Sequence, residues 1–160
     1  MAIEFECETG TGSATATSYA TIAQYQQYWL NRGTTITDSD TSIKGYLNLA
    51  TEFLDNNYNY KGDVAFEVQA LRWPRYNIYD KFGVLQQTNV IPTALINATC
   101  YLGAEAKKGK LNIVDQGIKS ESFGPVSKTY SHSSSYRAYP YVDQLLKDYL
   151  VYGNKLQRVN

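Results

Sequence analysis

Between Ser39 and Gly62 the chain carries one pattern that limits its fold more than any other: Ile43, Tyr46, Leu47, Ala50, Phe53 and Leu54 recur every three or four residues. That period places them on one side of a helix. Ser39 and Asp40 are good N-terminal caps, because their oxygens accept from the free amides of a first turn. The run Asn56-Asn57-Tyr58-Asn59-Tyr60-Lys61-Gly62 ends the helix in turn-forming residues. A helix with one apolar side must bury it against other elements, so the chain is expected to be mainly α and built as a small helical bundle. Gly45 inside the stripe weakens the helix by about 1 kcal/mol relative to Ala unless length compensates or a backbone passes close by.

Other helices follow from the same signals. Thr21-Ile22-Ala23-Gln24 has the spacing of a capping box and starts a helix expected over about Ile22 to Arg32, closed by Gly33. Ile91-Pro92 opens a third, with Pro at the first helical position. Its small residues Ala98, Cys100, Gly103, Ala104 and Ala106 predict a central helix with close neighbours, ending at Lys107-Lys108-Gly109. Tyr139-Pro140 opens a last helix with Val142, Leu145, Leu146, Tyr149 and Leu150 toward the core, closed by Gly153. Val64 to Leu71 reads as a short helix stopped by Trp73-Pro74, and Ile78 to Leu85 as two short extended pieces around a Gly turn.

From Ile118 to Tyr130 the period changes to alternation, divided by Gly124-Pro125, which predicts a β-hairpin projecting from the body. Residues 131–135 are a Ser-rich loop. The expected organisation is an extended N-terminal arm over 1–20, a helical domain over 21–153 that includes the hairpin at 118–130, and a polar tail over 154–160. About four main helices and the hairpin would share a core of Tyr25, Trp29, Leu47, Phe53, Leu54, Trp73, Leu95, Ile96, Leu102, Leu145 and Leu146. The arm, the hairpin and the tail lie outside the helical stripes and are expected to bury little against their own domain.

Composition narrows the function. With 15 Lys+Arg against 15 Asp+Glu, the chain has no global pull on phosphates, and its 15 Tyr, 5 Phe and 2 Trp exclude disorder as the dominant state. The acidic N-terminus lacks the pattern of an export signal, and no apolar run is long enough to span a bilayer. Cys7 and Cys100 are far apart in sequence and read as packed, reduced thiols of a cytosolic product. The single imidazole, His132, lies in the Ser-rich loop, so no positioned nucleophile-base pair is expected, and neither is a metal centre. No phosphate-binding Gly-rich motif occurs. The chain is therefore expected to have no enzymatic activity and no cofactor.

Two segments fit contact with nucleic acid, where aromatic rings stack on bases beside cations: Arg72-Trp73-Pro74-Arg75-Tyr76 and Lys107-Lys108-Gly109-Lys110. The plainer reading is a Trp anchoring the core between two arginines, and a cationic helix end that complements the macrodipole.

Several spaced features together resemble the head-to-tail adaptor, or connector, proteins of tailed bacteriophages, a group often labelled DnaT-like single-stranded-DNA-binding protein. They are Gly10-Thr11-Gly12, Ser18-Tyr19 before the Thr21 cap, Tyr25 and Tyr28 before Arg32-Gly33, Ala50-Thr51 with Phe53-Leu54-Asp55, and Tyr60-Lys61-Gly62. Most specific is Gln69-Ala70-Leu71-Arg72-Trp73-Pro74-Arg75. Asp80 with Gly83, Val90-Ile91-Pro92, Ala98-Thr99-Cys100, Phe123-Gly124-Pro125-Val126 and Tyr139-Pro140 with Val142-Asp143-Leu145-Leu146 complete the likeness, which covers nearly the whole chain.

The resemblance implies a structural protein of the virion, present in the host cytoplasm during assembly. It would form a ring of twelve copies below the portal, extend the DNA channel and give the tail a docking platform. Its partners would be itself, the portal protein, a tail or head-closure protein, and packaged DNA held weakly and without sequence preference. Phe123, Gly124, Pro125, Val126, Tyr130, Tyr149, Tyr152 and Leu156 are the candidates for subunit or portal contacts. Lys107, Lys108 and Lys110 are the candidates to face the channel, and Trp73, Pro74, Arg75, Ile91 and Pro92 form the motif core. The label's own implication is a single-stranded-DNA-binding accessory of replication.

Overall fold

A computed structural model describes residues 2–109, 111, 121–123, 126–128 and 139–151. The first helix, α1 (Ile22–Leu30), begins with the expected capping box: the Gln24 amide donates to Thr21 Oγ1 at 3.1 Å, and the Thr21 amide donates to Gln24 Oε1 at 2.8 Å. It ends before Arg32, whose amide closes a turn onto Trp29 and whose Nη1 donates to the Tyr28 carbonyl at 3.0 Å. The long helix α2 (Asp40–Asn57) is capped by Ser39, as its sequence requires. Among the described residues no other backbone passes close to Gly45, and an added Cβ would meet only the Ile3 side chain at 3.9 Å, so length carries the helix through its Gly.

The third helix, α3 (Thr93–Lys107), sits at the centre against α1, α2 and the last helix, α4 (Pro140–Leu146). Its small residues permit this, since a Cβ on Gly103 would come within 3.0 Å of the Tyr25 ring. Pro92 stands one position earlier than expected, as the N-cap with ψ 139°, and its carbonyl accepts from Leu95 and Ile96. One apolar cluster joins α2, α3 and α4 through Leu54, Leu95, Leu102, Val142 and Leu146, with Trp73 among them. A second joins α1, α2 and α3 through Tyr25, Tyr28, Ile43, Leu47 and Cys100. Of the expected core, Trp29, Ile96 and Leu145 are half-buried against these clusters, and the other members are buried.

The segment from Val64 to Leu71 is not helical. Its apolar residues Val64, Phe66 and Val68 alternate, which is the period of an extended chain. Instead β1 (Asp63–Val64) pairs antiparallel with β2 (Arg75–Tyr76), and Val64, Phe66 and Val68 remain exposed. The Trp73-Pro74 peptide bond between the strands is cis. The Gly turn near Asp80 forms as expected, with Tyr79 bridged antiparallel to Leu85. The hairpin is present as β3 (Glu121–Phe123) and β4 (Val126–Lys128), in the register Phe123↔Val126, a minor β feature of a mainly α fold. Residues 124–125, between its strands, lie outside the described residues.

Two expectations about the ends change. Residues 2–20 contain no helix, as expected, but they pack on the body: Ala16, Ser18, Tyr19 and Ala20 are buried, and so is Glu8. The buried Glu8 carboxylate explains why, accepting from the amides of Gly10 at 2.8 Å, Gly12 at 3.0 Å and Ser13 at 2.8 Å. Gly10 and Gly12, with φ of 104° and 71°, turn those amides inward, and an added Cβ would strike the Asn89 carbonyl or the Phe66 ring. At the other end α4 stops at Leu146. The next residues leave the helix because residues 59–61 hold them: Lys61 N–H donates to the Tyr149 carbonyl at 2.8 Å, Val151 N–H to Asn59 at 3.0 Å, and Leu150 bridges Tyr60. Gly153 and the 154–160 tail lie outside the described residues.

Candidate functional site

The Arg72-to-Tyr76 segment is organised for packing. Trp73 is 2 % exposed and Pro74 is buried. The indole meets the rings of Tyr60 and Tyr149 edge-on, each at 5.7 Å between centroids. Its backbone amide donates to Tyr19 Oη at 3.2 Å, and Tyr19 Oη donates to Asp55 Oδ1 at 2.6 Å. Burial pushes the Tyr19 hydroxyl well above its ordinary value and also raises the Asp55 carboxyl, against the opposing pull of Tyr19 and Arg72. Arg72 donates through its amide to Asp55 Oδ2 at 3.1 Å and through Nε to the Asp55 carbonyl at 2.8 Å.

Arg75 reaches four carbonyls, with Nε to Lys61 at 2.7 Å, Nη2 to Gly62 at 2.6 Å and Tyr60 at 3.4 Å, and Nη1 to Arg72 at 3.1 Å. Burial lowers its pKa, and the carbonyl cage holds the guanidinium in place. Trp73 and Arg75 therefore tie the 60–62 loop to β2, and neither is presented to a base. Ile91 is buried in the larger cluster, and Pro92 caps α3.

The candidate channel lysines are also engaged. Lys107 pairs with Asp38 at 2.8 Å, which holds its pKa up, and Lys108 pairs with Glu105 at 2.9 Å. Lys110 lies outside the described residues. Among the proposed contact residues, Tyr149 is half-buried with its ring against Trp73, so the core uses the side chain expected at an interface. For Phe123 and Val126 the structure places the backbone on the hairpin, while Gly124, Pro125, Tyr130, Tyr152 and Leu156 lie outside the described residues. Among the described residues no three His, Cys, Asp or Glu side chains gather as a metal centre, and no helix is long and apolar enough to cross a membrane.

Three surfaces appear that the sequence alone did not single out. The first is an aromatic cluster shared by α1, α3 and α4. Arg32 lies 3.5 Å over the Tyr28 ring, Trp29 stacks on Tyr101 at 6.5 Å, and Tyr101 meets Tyr141 at 4.9 Å. Tyr28 Oη donates to Tyr141 Oη at 3.4 Å. Burial and that bond raise the Tyr28 pKa, while bonds from Tyr28 and Arg32 lower that of the exposed Tyr141. These rings lie on helical stripes, so their period reads as core; only the packing of three helices leaves Tyr141 and Arg32 at the surface.

The second is the turn around Asp80, where Tyr79, Phe82, Val84 and Leu85 are all exposed and Phe82 most of all, at 79 %. The third is a groove of about 630 Å³ between α2 and the 64–72 loop, bordered by Val64, Phe66 and Leu71 and by the carboxylates of Glu52, Asp55 and Glu67. Val64, Phe66 and Val68 alternate along the groove's loop, whereas no such period runs through Tyr79, Phe82, Val84 and Leu85.

No curated protein and no solved structure matches the chain. A family model does, over residues 3–159, and its description is DnaT-like ssDNA binding protein. A match over residues 3–159, almost the full length, establishes that the chain belongs to the DnaT-like ssDNA binding protein family.

Proposed function

We propose that the chain is a head-to-tail adaptor of a tailed bacteriophage, a structural protein that joins identical copies into a ring of twelve below the portal. The observation that carries this reading is how charged and apolar groups are divided. The motif arginines bond backbone carbonyls and the described lysines of the α3 end pair with carboxylates, while large apolar side chains stand exposed on two loops. Cations held this way give DNA little grip, and exposed apolar loops need a protein neighbour. A neutral subunit packs beside its copies without like-charge repulsion and lets DNA slide past.

In this reading the ring extends the portal channel and gives the tail or a head-closure protein its platform. The protein resides in the virion, after assembly in the host cytoplasm, and carries out no catalysis. The 118–130 hairpin and the 154–160 tail reach the portal or the next subunit, so deleting 154–160 or breaking the hairpin at Val126 should leave the fold intact and abolish ring formation on portal.

A second reading, a single-stranded-DNA-binding accessory of replication, is favoured by the family's description and by the Arg32, Tyr101 and Tyr141 surface, which has the aromatic and cationic parts of a base-stacking platform. Fluorescence anisotropy of labelled single-stranded DNA at two salt concentrations separates the two. The adaptor reading expects binding weaker than about micromolar at physiological salt. Sub-micromolar binding that Tyr141→Ala or Arg32→Ala removes would overturn it in favour of the second.

A further inference from the structure

We propose that two copies of this chain join head to tail by seating the Asp80-to-Gly83 turn of one copy, with Phe82 at its tip, in the groove between α2 and the 64–72 loop of the next. The inference deepens the ring reading above and rests on it.

The turn is built as a rigid peg. Asp80 Oδ1 accepts from the Phe82 amide at 2.8 Å and the Val84 amide at 2.9 Å, the Asp80 amide donates to the Val84 carbonyl at 2.9 Å, and the Gly83 amide donates to the Asp80 carbonyl at 3.0 Å. Gln86 N–H closes the base on the Ile78 carbonyl at 2.7 Å. A turn fixed in this way presents Phe82 with little loop entropy left to lose on docking, which is the property of an interface anchor.

The groove complements the peg in shape and in charge. Its volume, about 630 Å³, is that of a cleft that takes up a small ligand, and Val64, Phe66 and Leu71 give it apolar walls. Two exposed carboxylates, Glu52 and Glu67, border it, while Asp55, also at its edge, is taken up by Tyr19 and Arg72. Beside Phe82 on the peg stands Lys81, its Nζ 5.0 Å from the ring, with no carboxylate partner among the described residues. An apolar tip flanked by a cation thus meets an apolar cleft rimmed by anions.

Topology supplies the polarity. In the β1-β2 ribbon Val64 faces Arg75 and Asp63 faces Tyr76, so the 65–74 loop leaves one end of the ribbon and the 77–86 turn leaves the other. One copy carries the peg and the groove at opposite ends of the same short ribbon. A contact between unlike patches on identical chains propagates in one direction, and it closes into a ring when the rotation fits.

The test uses two variants of the full chain at exposed positions, Phe82→Asp to disable the peg and Ala70→Arg to block the groove. Sedimentation velocity up to millimolar concentration reads self-association of each alone and of their mixture. The proposal expects the wild-type chain to associate, each variant alone to weaken at least tenfold, and the equimolar mixture to form a dimer and stop there, since one sound peg and one sound groove remain. Lys81→Glu should weaken association and Glu67→Lys in the same chain should restore part of it.

If the wild-type chain assembles and both variants assemble equally well, the ring reading stands and this contact is wrong. A wild-type chain that stays monomeric at every concentration would overturn this contact, while the ring reading, in which copies assemble on the portal, would be tested separately by binding to a portal ring. Loss of single-stranded DNA binding, or of portal binding alone, in Phe82→Asp with self-association intact would assign the peg to another occupant and overturn the proposal.

Discussion

Replacing Trp73 tests whether the motif at 69–75 is a packing device. The side chain is 2 % exposed and meets two aromatic rings edge-on at 5.7 Å. Truncating a buried Trp to Ala costs about 3–5 kcal/mol, a range that includes the cavity left behind. The indole also bears a penalty, because Nε1 is buried and finds no acceptor among the described residues. A buried donor without a partner costs about 1–3 kcal/mol. Trp73→Phe removes that donor, keeps an aromatic ring between Tyr60 and Tyr149, and gives up part of the apolar area, two effects of opposite sign and similar size.

Trp73→Ala should therefore lower stability by about 3–5 kcal/mol and Tm by about 6–20 °C at this chain length, with Trp73→Phe within about 1 kcal/mol of wild type. Urea unfolding followed by far-UV circular dichroism at constant m-value measures both, and Trp73→Leu serves if the Ala variant does not fold. An Ala variant within about 1 kcal/mol of wild type, or a Phe variant as damaged as Ala, would refute the reasoning.

Glu8→Ala should cost at least about 1–3 kcal/mol in the same unfolding assay, since it leaves the amides of Gly10, Gly12 and Ser13 without their acceptor; an unchanged midpoint would contradict this. Burial raises the Asp55 carboxyl above its unfolded value of 3.8, so the folded state holds that proton more tightly. The Asp55 contribution to stability then grows as pH falls through its folded pKa and is lost as pH rises above it. Unfolding free energies at pH 4 and pH 7 should show Asp55→Asn gaining on wild type at the higher pH. Cys100 is buried, with its thiol pushed up to about 12, and Cys7 is pushed up to about 11. Thiol reagents at pH 8 should modify Cys100 only at the rate of unfolding, which counting modified sulfhydryls with and without urea checks.

Local signals carried most of the fold. The Thr21-Gln24 box, the Ser39 cap and the α2 stripe are each complete within a few residues, and their helices form where the sequence puts them. The small residues of α3 likewise report its central place, because only a close neighbour requires them. What the sequence hides depends on partners far along the chain. Glu8 looks like one more acid in an acidic stretch until Gly10, Gly12 and Ser13 fold their amides around it. Tyr149 has a helical spacing, yet bonds from residues 59–61 take it out of the helix and bring it to Trp73.

The candidate site was less legible than the fold for the same reason. Arg72, Arg75, Lys107 and Lys108 read as cations beside aromatic residues, and only three-dimensional closure shows the carbonyls and carboxylates that hold them. The Phe82 turn and the groove over α2 are formed by loops whose exposure no periodicity reports.

The adaptor reading meets its most direct test in native mass spectrometry of the full chain mixed with a portal ring from the same source. The account expects a discrete complex in which twelve copies of the chain sit on one portal ring, with no intermediate number dominant at saturation. A portal ring that acquires no copies at saturating concentration, while the same preparation binds single-stranded DNA below micromolar at physiological salt, would contradict it.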